Sequence, residues 1–265
     1  MDTSRFELAK DLILQVGIIL HNADFHALSV ETKTGLQDIV TKYDKGVEAF
    51  LQQKILSDFP SDAIIGEEFP PHRGSSYTWY IDPIDGTSNF VSQRHDYCVS
   101  IACYCGEKPV FGLVLDVERG ALYSAISGQG AWRGTEPIRC AQYAPVQNLL
   151  LTTPVVPALF LHGHPMRESF CRLANEVRAV RSKGCVSLEI CLVAAGEADV
   201  FAARYAGPWD HAAAQIILRE AGGACCTFCG HPLPLEGNTT ILAASSEQVL
   251  AEMRHYLNSD TENRT

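Results

Sequence analysis

The chain has 265 residues, 46% hydrophobic and 20% charged, which suits a folded protein with a sizeable core in one large or two smaller domains. A formal charge of −10 disfavours broad contact with nucleic acid or anionic membrane, so neither is an expected partner. No apolar run approaches the ~20 residues that a membrane helix needs, and the opening stretch MDTSRFELAKDLILQVGIIL lacks a signal-peptide layout, so the expected location is the cytoplasm.

Leu8, Leu12, Val16, Ile19 and Leu20 recur at helical spacing and predict an amphipathic helix over 5–22. Val40, Tyr43, Val47, Phe50, Leu51 and Ile55 predict a second over 37–58. SDAIIGEE is a short apolar run stopped by glycine and reads as a buried strand; YTWYID is another, ending at Asp82. Pro83 has no N–H, so the chain is expected to leave the sheet directly after Asp82. Asp85-Gly86-Thr87-Ser88 then reads as the first turn of a short helix.

Residues 97–126 have the pattern of an antiparallel meander, with turns at GEKP and ERG. GQGAWRGTEPIRC is glycine-punctuated loop and hairpin. NLLLTTP is strand-like, MRESFCRLANEVRAV (166–180) a helix, SLEICLVAAGEA a short helix and DVFAARY a strand. WDHAAAQIILREAGG is a helix stopped by two glycines, TILAAS a last strand and EQVLAEMRHYLNS a last helix. The irregular alternation predicts a mixed α+β fold of stacked layers, and the antiparallel middle argues against a purely parallel, doubly wound sheet.

Ten cysteines are scattered through a chain too large to need disulfide staples, and most sit in apolar stretches. They read as reduced, small, buried hydrophobes. Cys226 and Cys229 form one CxxC, with Cys225 and His231 beside it, but a structural zinc site would need more ligands at the right spacing.

The acidic residues carry the chemistry. DPIDG alone can be a turn after a strand. In context it places two carboxylates, Asp82 and Asp85, around a bend, with free backbone N–H groups opening beyond them. Carboxylates hold a hard cation such as Mg2+, and N–H groups at a helix start hold phosphate oxygens. The adjacent Glu67 and Glu68 read equally as solvated residues at a strand end, and Asp210 as an ordinary helix N-cap.

The order GEE, then WxxDPxDGTxNF, then WDxAA before a helix ending in GG resembles the inositol monophosphatase family of Mg2+-dependent, lithium-sensitive phosphatases. The resemblance spans nearly the whole chain, through KTGLQDIVTKYDKGVE, GQGAW and RSKGCVSLEICLVAAGEAD. It implies a layered αβαβα sandwich of the inositol monophosphatase and fructose-1,6-bisphosphatase type. It also implies a single catalytic domain over 1–265, with 1–145 holding metal and phosphate and 146–265 facing the substrate. Carried onto this chain, Glu67, Asp82 and the Ile84 carbonyl hold one Mg2+. Asp82, Asp85 and Asp210 hold a second, and a third, weaker ion lies near Glu67. Glu68 takes a supporting role. Mn2+ is an expected substitute. Gly86 and Thr87 offer backbone N–H groups to the phosphate, and Thr87 with Asp44 orients the attacking water. Lys33 matches a position on a mobile loop near the metals, and Gly184 and Cys185 match the lining of the sugar pocket. A homodimer is expected.

One part of the family pattern is missing. Inositol-specific members carry a glutamate a few residues before the WD pair, where this chain has Ala203 or, with the gap placed differently, Arg204. Arg204 suits a second anionic group on the substrate, or points to solvent. The expected activity is Mg2+-dependent hydrolysis of an inositol, polyol or sugar phosphate. Alternatives are a 3'-phosphonucleotide, NADP, fructose-1,6-bisphosphate or histidinol-phosphate phosphatase, or a non-enzymatic binding partner of the same fold. His72 and Arg73 are expected to be exposed, and His211 to face away from the metals.

Overall fold

Side-chain periodicity decides the layering. A computed structural model of the chain describes residues 3–35, 38–154 and 167–258. Helix α1 (Ser4–His21) buries the stripe Leu12, Ile13, Val16 and Leu20. A hairpin, β1 (Val30–Gly35) and β2 (Asp38–Thr41), leads into α2 (Lys42–Asp58). A capping box starts α2: the Thr41 hydroxyl accepts from Tyr43 N at 3.1 Å, and Asp44 Oδ2 accepts from Thr41 N at 2.7 Å.

Seven strands follow in sequence order in one sheet: β3 (Ala63–Gly66), β4 (Tyr77–Asp85), β5 (Cys98–Cys105), β6 (Lys108–Asp116), β7 (Ala121–Ile126), β8 (Ala131–Arg133) and β9 (Glu136–Ile138). Only β3 and β4 pair in parallel. The short helix α3 (Thr87–Ser92) lies between β4 and β5. Successive residues point to opposite faces of a strand. Trp79, Ile81, Val99, Ile101 and Leu113 therefore join the core under α1 and α2, while Tyr80, Ala102, Tyr104, Val114 and Tyr123 join a second core.

That second core holds α5 (Val186–Ala194) and α6 (Pro208–Glu220), reached after β10 (Leu150–Thr152), α4 (Arg167–Glu176) and β11 (Ala179–Arg181). Beyond it lies a five-stranded sheet completed by β12 (Val200–Ala206), β13 (Ala224–Cys226) and β14 (Thr239–Ala244), in the order β11-β10-β12-β14-β13. Phe201, Ala203, Ile241 and Ala243 face the middle core. Val200, Ala202, Leu242 and Ala244 face an outer core with Phe170, Leu173, Val249 and Met253 from α4 and α7 (Glu247–Asn258). The expected αβαβα sandwich is present, with seven α-helices among the described residues. No helix among them is long and apolar enough to cross a membrane.

Some expectations need correction. The helix predicted over 37–58 begins at Lys42, because residues 38–41 pair with β1; Gln37 lies outside the described residues. The helix predicted over 166–180 stops at Glu176, and Ala179–Arg181 pairs with β10; Met166 lies outside the described residues. Strand β13 carries too few residues to show a period in the sequence. The sheet does not end at Asp82. Asp82 pairs with Ser100 and Asp85 with Cys98, so three steps along β4 oppose two along β5. This bulge accommodates Pro83, whose missing N–H would otherwise break the ladder. All ten cysteines are free; Cys98, Cys103, Cys185, Cys191 and Cys226 are fully buried, while Cys105 and Cys229 are exposed.

Gly112 seats α6 on the sheet. A Cβ there would lie 2.4 Å from the Ala213 carbonyl oxygen and 2.9 Å from its Cα. The obstacle is backbone, which has little room to give in a packed interior. Gly112→Ala is expected to destabilise the fold by about 1–3 kcal/mol, measured as a lower urea midpoint at unchanged m.

Candidate active site

Register brings the acids together. Gly66 pairs with Ile81 across the parallel β3–β4 ladder, so the next residues, Glu67 just past the end of β3 and Asp82 still on β4, stand at the same level. The β4 bulge returns Asp85 to the ladder. Asp44 enters from the first turn of α2 and Asp210 from the first turn of α6. Asp210 keeps part of its ordinary capping role, because its Oδ2 accepts from Gly207 N at 2.6 Å. Asp44, Asp82 and Asp85 are buried, and Glu67 and Asp210 are half-buried.

The carboxylates repel one another in a poorly solvated cleft. Burial, then Glu67, Asp85 and Asp210, push the Asp82 carboxyl far above its ordinary range. Burial, then Asp85 and Glu67, do the same to Asp210. Burial lifts Glu67 to about 7, although Lys33 opposes the rise. Burial alone would lower the Lys33 ammonium, but Glu67 and then Glu68 more than reverse this, at 2.8 and 2.6 Å from its Nζ. Lys33 belongs to β1 rather than to the expected loop. Carboxylates crowded against one another and drawn to a lysine form the donor set of a hard-cation site.

Thr87 and Asp44 meet as expected: the Thr87 hydroxyl lies 3.1 Å from Asp44 Oδ1 and 3.0 Å from the Ile84 carbonyl, and its one proton serves either acceptor. Ile84 N donates to Asp82 Oδ1 at 3.0 Å, fixing that carboxylate over the bulge. Gly86 caps α3 with φ +90°, which glycine adopts freely. A Cβ on Gly86 would lie 3.4 Å from both the Cys185 Cβ and the Gly184 carbonyl oxygen, so these candidate pocket residues pack against the phosphate-side turn.

Asp85 is held from another direction. Its Oδ1 and Oδ2 accept from Val186 N at 3.0 Å and Ser187 N at 2.5 Å, the first N–H groups of α5. Cys98 and Cys185 lie beside it, with their sulfurs 3.4 Å apart. Burial raises both thiols well above the ordinary range, so they stay protonated in the metal-free protein.

Three supporting residues escape a sequence reading. Glu48 accepts from Glu68 N at 2.7 Å and Phe69 N at 3.2 Å, bracing the GEE turn. A signal exists: Glu48 follows Asp44 by one helical turn, which puts two acids on the buried side of an otherwise amphipathic helix. Glu189 accepts from Lys183 N and Gly184 N, both at 2.9 Å, and Asn89 Nδ2 donates to Asp96 O at 2.7 Å and Lys183 O at 2.6 Å. These long-range tethers leave no local pattern. Arg204 is half-buried, in a stretch where the β12–β14 register shifts between Ala203 and Ala206, and Ala203 is buried in the middle core. His72 and Arg73 are exposed, and His211 is fully buried, with Nδ1 3.4 Å from Gln215 Nε2. Among the described residues, Cys226, Cys229 and His231 are not gathered into a ligand cluster.

A layered αβαβα sandwich that gathers buried carboxylates at the ends of its central strands, next to a Thr–Asp pair, defines the phosphoric monoester hydrolase class to which this protein belongs. The family model for the inositol monophosphatase family matches residues 2–261, and the chain belongs to that family. It is 32% identical to an inositol-1-monophosphatase of Bacillus subtilis (strain 168), with 96% of each chain covered. It is 33% identical to inositol monophosphatase 1 of Homo sapiens, covering 93% of this chain and 91% of the relative. Among solved structures, SaIMPase-II bound to inositol monophosphate superposes with a TM-score of 0.85 at 28% identity, covering 98% of this chain and 96% of that one. The same protein bound to 2'AMP superposes with a TM-score of 0.86, at the same identity and coverage.

Proposed function

We propose that this protein hydrolyses the phosphate monoester of a small polyol or sugar, with Mg2+ as its cofactor. The observation that carries the reading is the set of acids Glu67, Asp82, Asp85 and Asp210, each pushed up by burial, and all but Asp85 also by neighbouring carboxylates. Glu67, Asp82 and the Ile84 carbonyl would hold one ion, and Asp82, Asp85 and Asp210 a second, with Asp82 shared and Mn2+ an adequate substitute. Two or three such ions would neutralise the dianionic ester, lower the pKa of a water and stabilise the leaving alkoxide.

The protein's own groups then position the reaction. The Thr87 hydroxyl gives its proton to Asp44 Oδ1 in a hydrogen bond, which leaves its lone pairs free to accept from the attacking water. The N–H groups of Gly86 and Thr87, at the start of α3, face no acceptor of their own helix and receive phosphate oxygens. Gly184 and Cys185 wall the substrate side, so residues 1–145 supply most of the metal and phosphate machinery, and 146–265 supply Asp210 and the substrate wall of one catalytic unit. The protein works as a cytoplasmic homodimer.

Ala203, buried in the core, cannot bind hydroxyls as the inositol-contacting glutamate of relatives does. Substrates with a second anionic group therefore form a second reading, favoured by the half-buried Arg204. A panel of inositol 1-phosphate, a hexose bisphosphate, 2'-AMP, a 3'-phosphonucleotide and histidinol phosphate separates the two readings. The expected result is turnover with Mg2+ that EDTA abolishes and Li+ inhibits. No turnover on any of them, or turnover indifferent to EDTA, would end the proposal. Glu48→Ala is expected to weaken Mg2+ activation about 10–100-fold, as loss of a brace behind metal ligands does; a Mg2+ titration of activity checks this.

A further inference from the structure

The two buried thiols beside Asp85 perform no step of phosphoester hydrolysis, although Cys185 also backs the proposed substrate wall. Cys98 is the cross-strand neighbour of Asp85 on β5, and Cys185 caps α5 immediately before the N–H groups that hold the same carboxylate. Three rigid elements thus converge on one point. The sulfurs lie 3.4 Å apart, Cys98 Sγ is 3.9 Å from Asp85 Oδ2, and Cys185 Sγ is 3.3 Å from the Asp85 carbonyl oxygen. Among the described residues, Asp85, Cys98 and Cys185 are the one group of His, Cys, Asp or Glu side chains whose ligand atoms all lie within 4.8 Å of one another.

We propose that Cys98, Cys185 and Asp85 form a site for one thiophilic divalent cation, of the Zn2+ or Cd2+ kind, built against the back of the acidic cleft. Tetrahedral zinc with Zn–S bonds of ~2.3 Å and a Zn–O bond of ~2.1 Å separates two sulfurs by about 3.8 Å and a sulfur from an oxygen by about 3.6 Å. The sulfur–sulfur and Cys98–Asp85 carboxylate separations differ from these by a few tenths of an ångström, less than a rotamer adjustment supplies, and the Cys185 sulfur lies within 4.8 Å of the same carboxylate. Entry of the ion releases two protons, one from each thiol, and water completes the coordination. Each Asp85 oxygen receives one backbone N–H, which leaves a lone pair for a cation. Sulfur ligands discriminate against Mg2+, so the site selects soft ions that the carboxylates alone would not. Because Asp85 serves both sites, a soft ion should compete with Mg2+; this competition, unlike the binding, rests on the proposed function.

The binding test uses the reduced, metal-free full-length protein titrated with Cd2+ and followed by thiolate-to-cadmium absorption in the ultraviolet. The expected result is one tight equivalent with the absorption of two thiolates. In Cys98→Ala its affinity should fall by roughly 100-fold or more, beyond the effect of losing an outer brace. Cys185→Ala repeats this arm independently, and the exposed Cys105 and Cys229 give a background common to all three proteins. Equal affinity and absorption in wild type and variants would overturn the site. If neither variant folds, X-ray absorption of the Zn2+-loaded wild type decides: two sulfur and two lighter ligands support the site, and any other count of sulfurs overturns it. In a separate arm, Zn2+ inhibition at fixed Mg2+, expressed against each protein's own Zn2+-free rate, should be weaker in Cys98→Ala. Intact binding without that difference would refute the shared role of Asp85 and leave the site standing.

Discussion

Asp82→Asn is expected to lower turnover by roughly 10^3-fold or more at saturating Mg2+, the scale on which several kcal/mol of transition-state stabilisation is lost. Asp82 is the acid on which the cluster converges: Glu67, Asp85 and Asp210 all act on it, and Ile84 N pins its Oδ1 at 3.0 Å. An asparagine keeps the shape and can keep the Ile84 contact, but it removes a charge that both proposed ions would share. Stability should move the other way. In the metal-free protein the folded state holds on Asp82 a proton that the unfolded chain releases, so the variant should melt no lower than wild type, and its advantage should grow as pH rises past the ordinary carboxylate range. Steady-state kinetics and thermal melts of the same preparations check both halves. Near-normal turnover of Asp82→Asn would remove the metal assignment, and a large drop in the melt would reassign Asp82 to a folding role.

The second large effect is on stability. Asp62→Ala is expected to destabilise the protein by about 3–5 kcal/mol, the usual result of stranding one partner of a buried ion pair. Arg5, on α1, reaches Asp62 through Nε at 2.7 Å and Nη2 at 2.9 Å, and Trp79 Nε1 donates to the same carboxylate at 2.9 Å. Asp62 is fully buried. The guanidinium is sandwiched between the Phe59 and Tyr77 rings, 4.1 and 3.9 Å from their centroids, which limits its escape to water. Removing Asp62 takes the carboxylate from a largely buried guanidinium and the acceptor from the Trp79 indole N–H. The combined Arg5→Met, Asp62→Ala variant should recover part of the loss, because an apolar pair does not carry an uncompensated charge. Urea unfolding of the two single variants and the double variant gives the coupling. A loss below about 1 kcal/mol for Asp62→Ala would mean that water reaches Arg5 after all.

Much of this molecule was legible in its residue order, for local reasons. A stripe such as Leu12, Val16 and Leu20 reports a helix face because 3.6-residue periodicity is a property of the backbone itself. The meander over 97–126 shows because alternation and turn residues are local as well. Local marks single out Asp82 and Asp85 around a proline, whereas Glu67 and Asp210 read locally as a strand-end residue and an N-cap, and it is the resemblance to the inositol monophosphatase family that nominates the four together.

Sequence reading failed where a residue's state depends on a partner distant in the chain. Residues 38–41 look helical until β1 offers them a ladder, and Pro83 looks like an exit from the sheet until the bulge opposite Ser100 and Cys98 absorbs it. Glu189 becomes a tether only when the 183–184 turn folds back to it, and Cys98 meets Cys185 only across two elements. By itself the amino-acid order determined most of the helices and strands and the identity of the acidic residues, since these follow from local geometry and side-chain chemistry. The tertiary structure alone decided which charges share one cleft and which groups brace them, because electrostatic repulsion and hydrogen bonding act through distances in space and not along the chain.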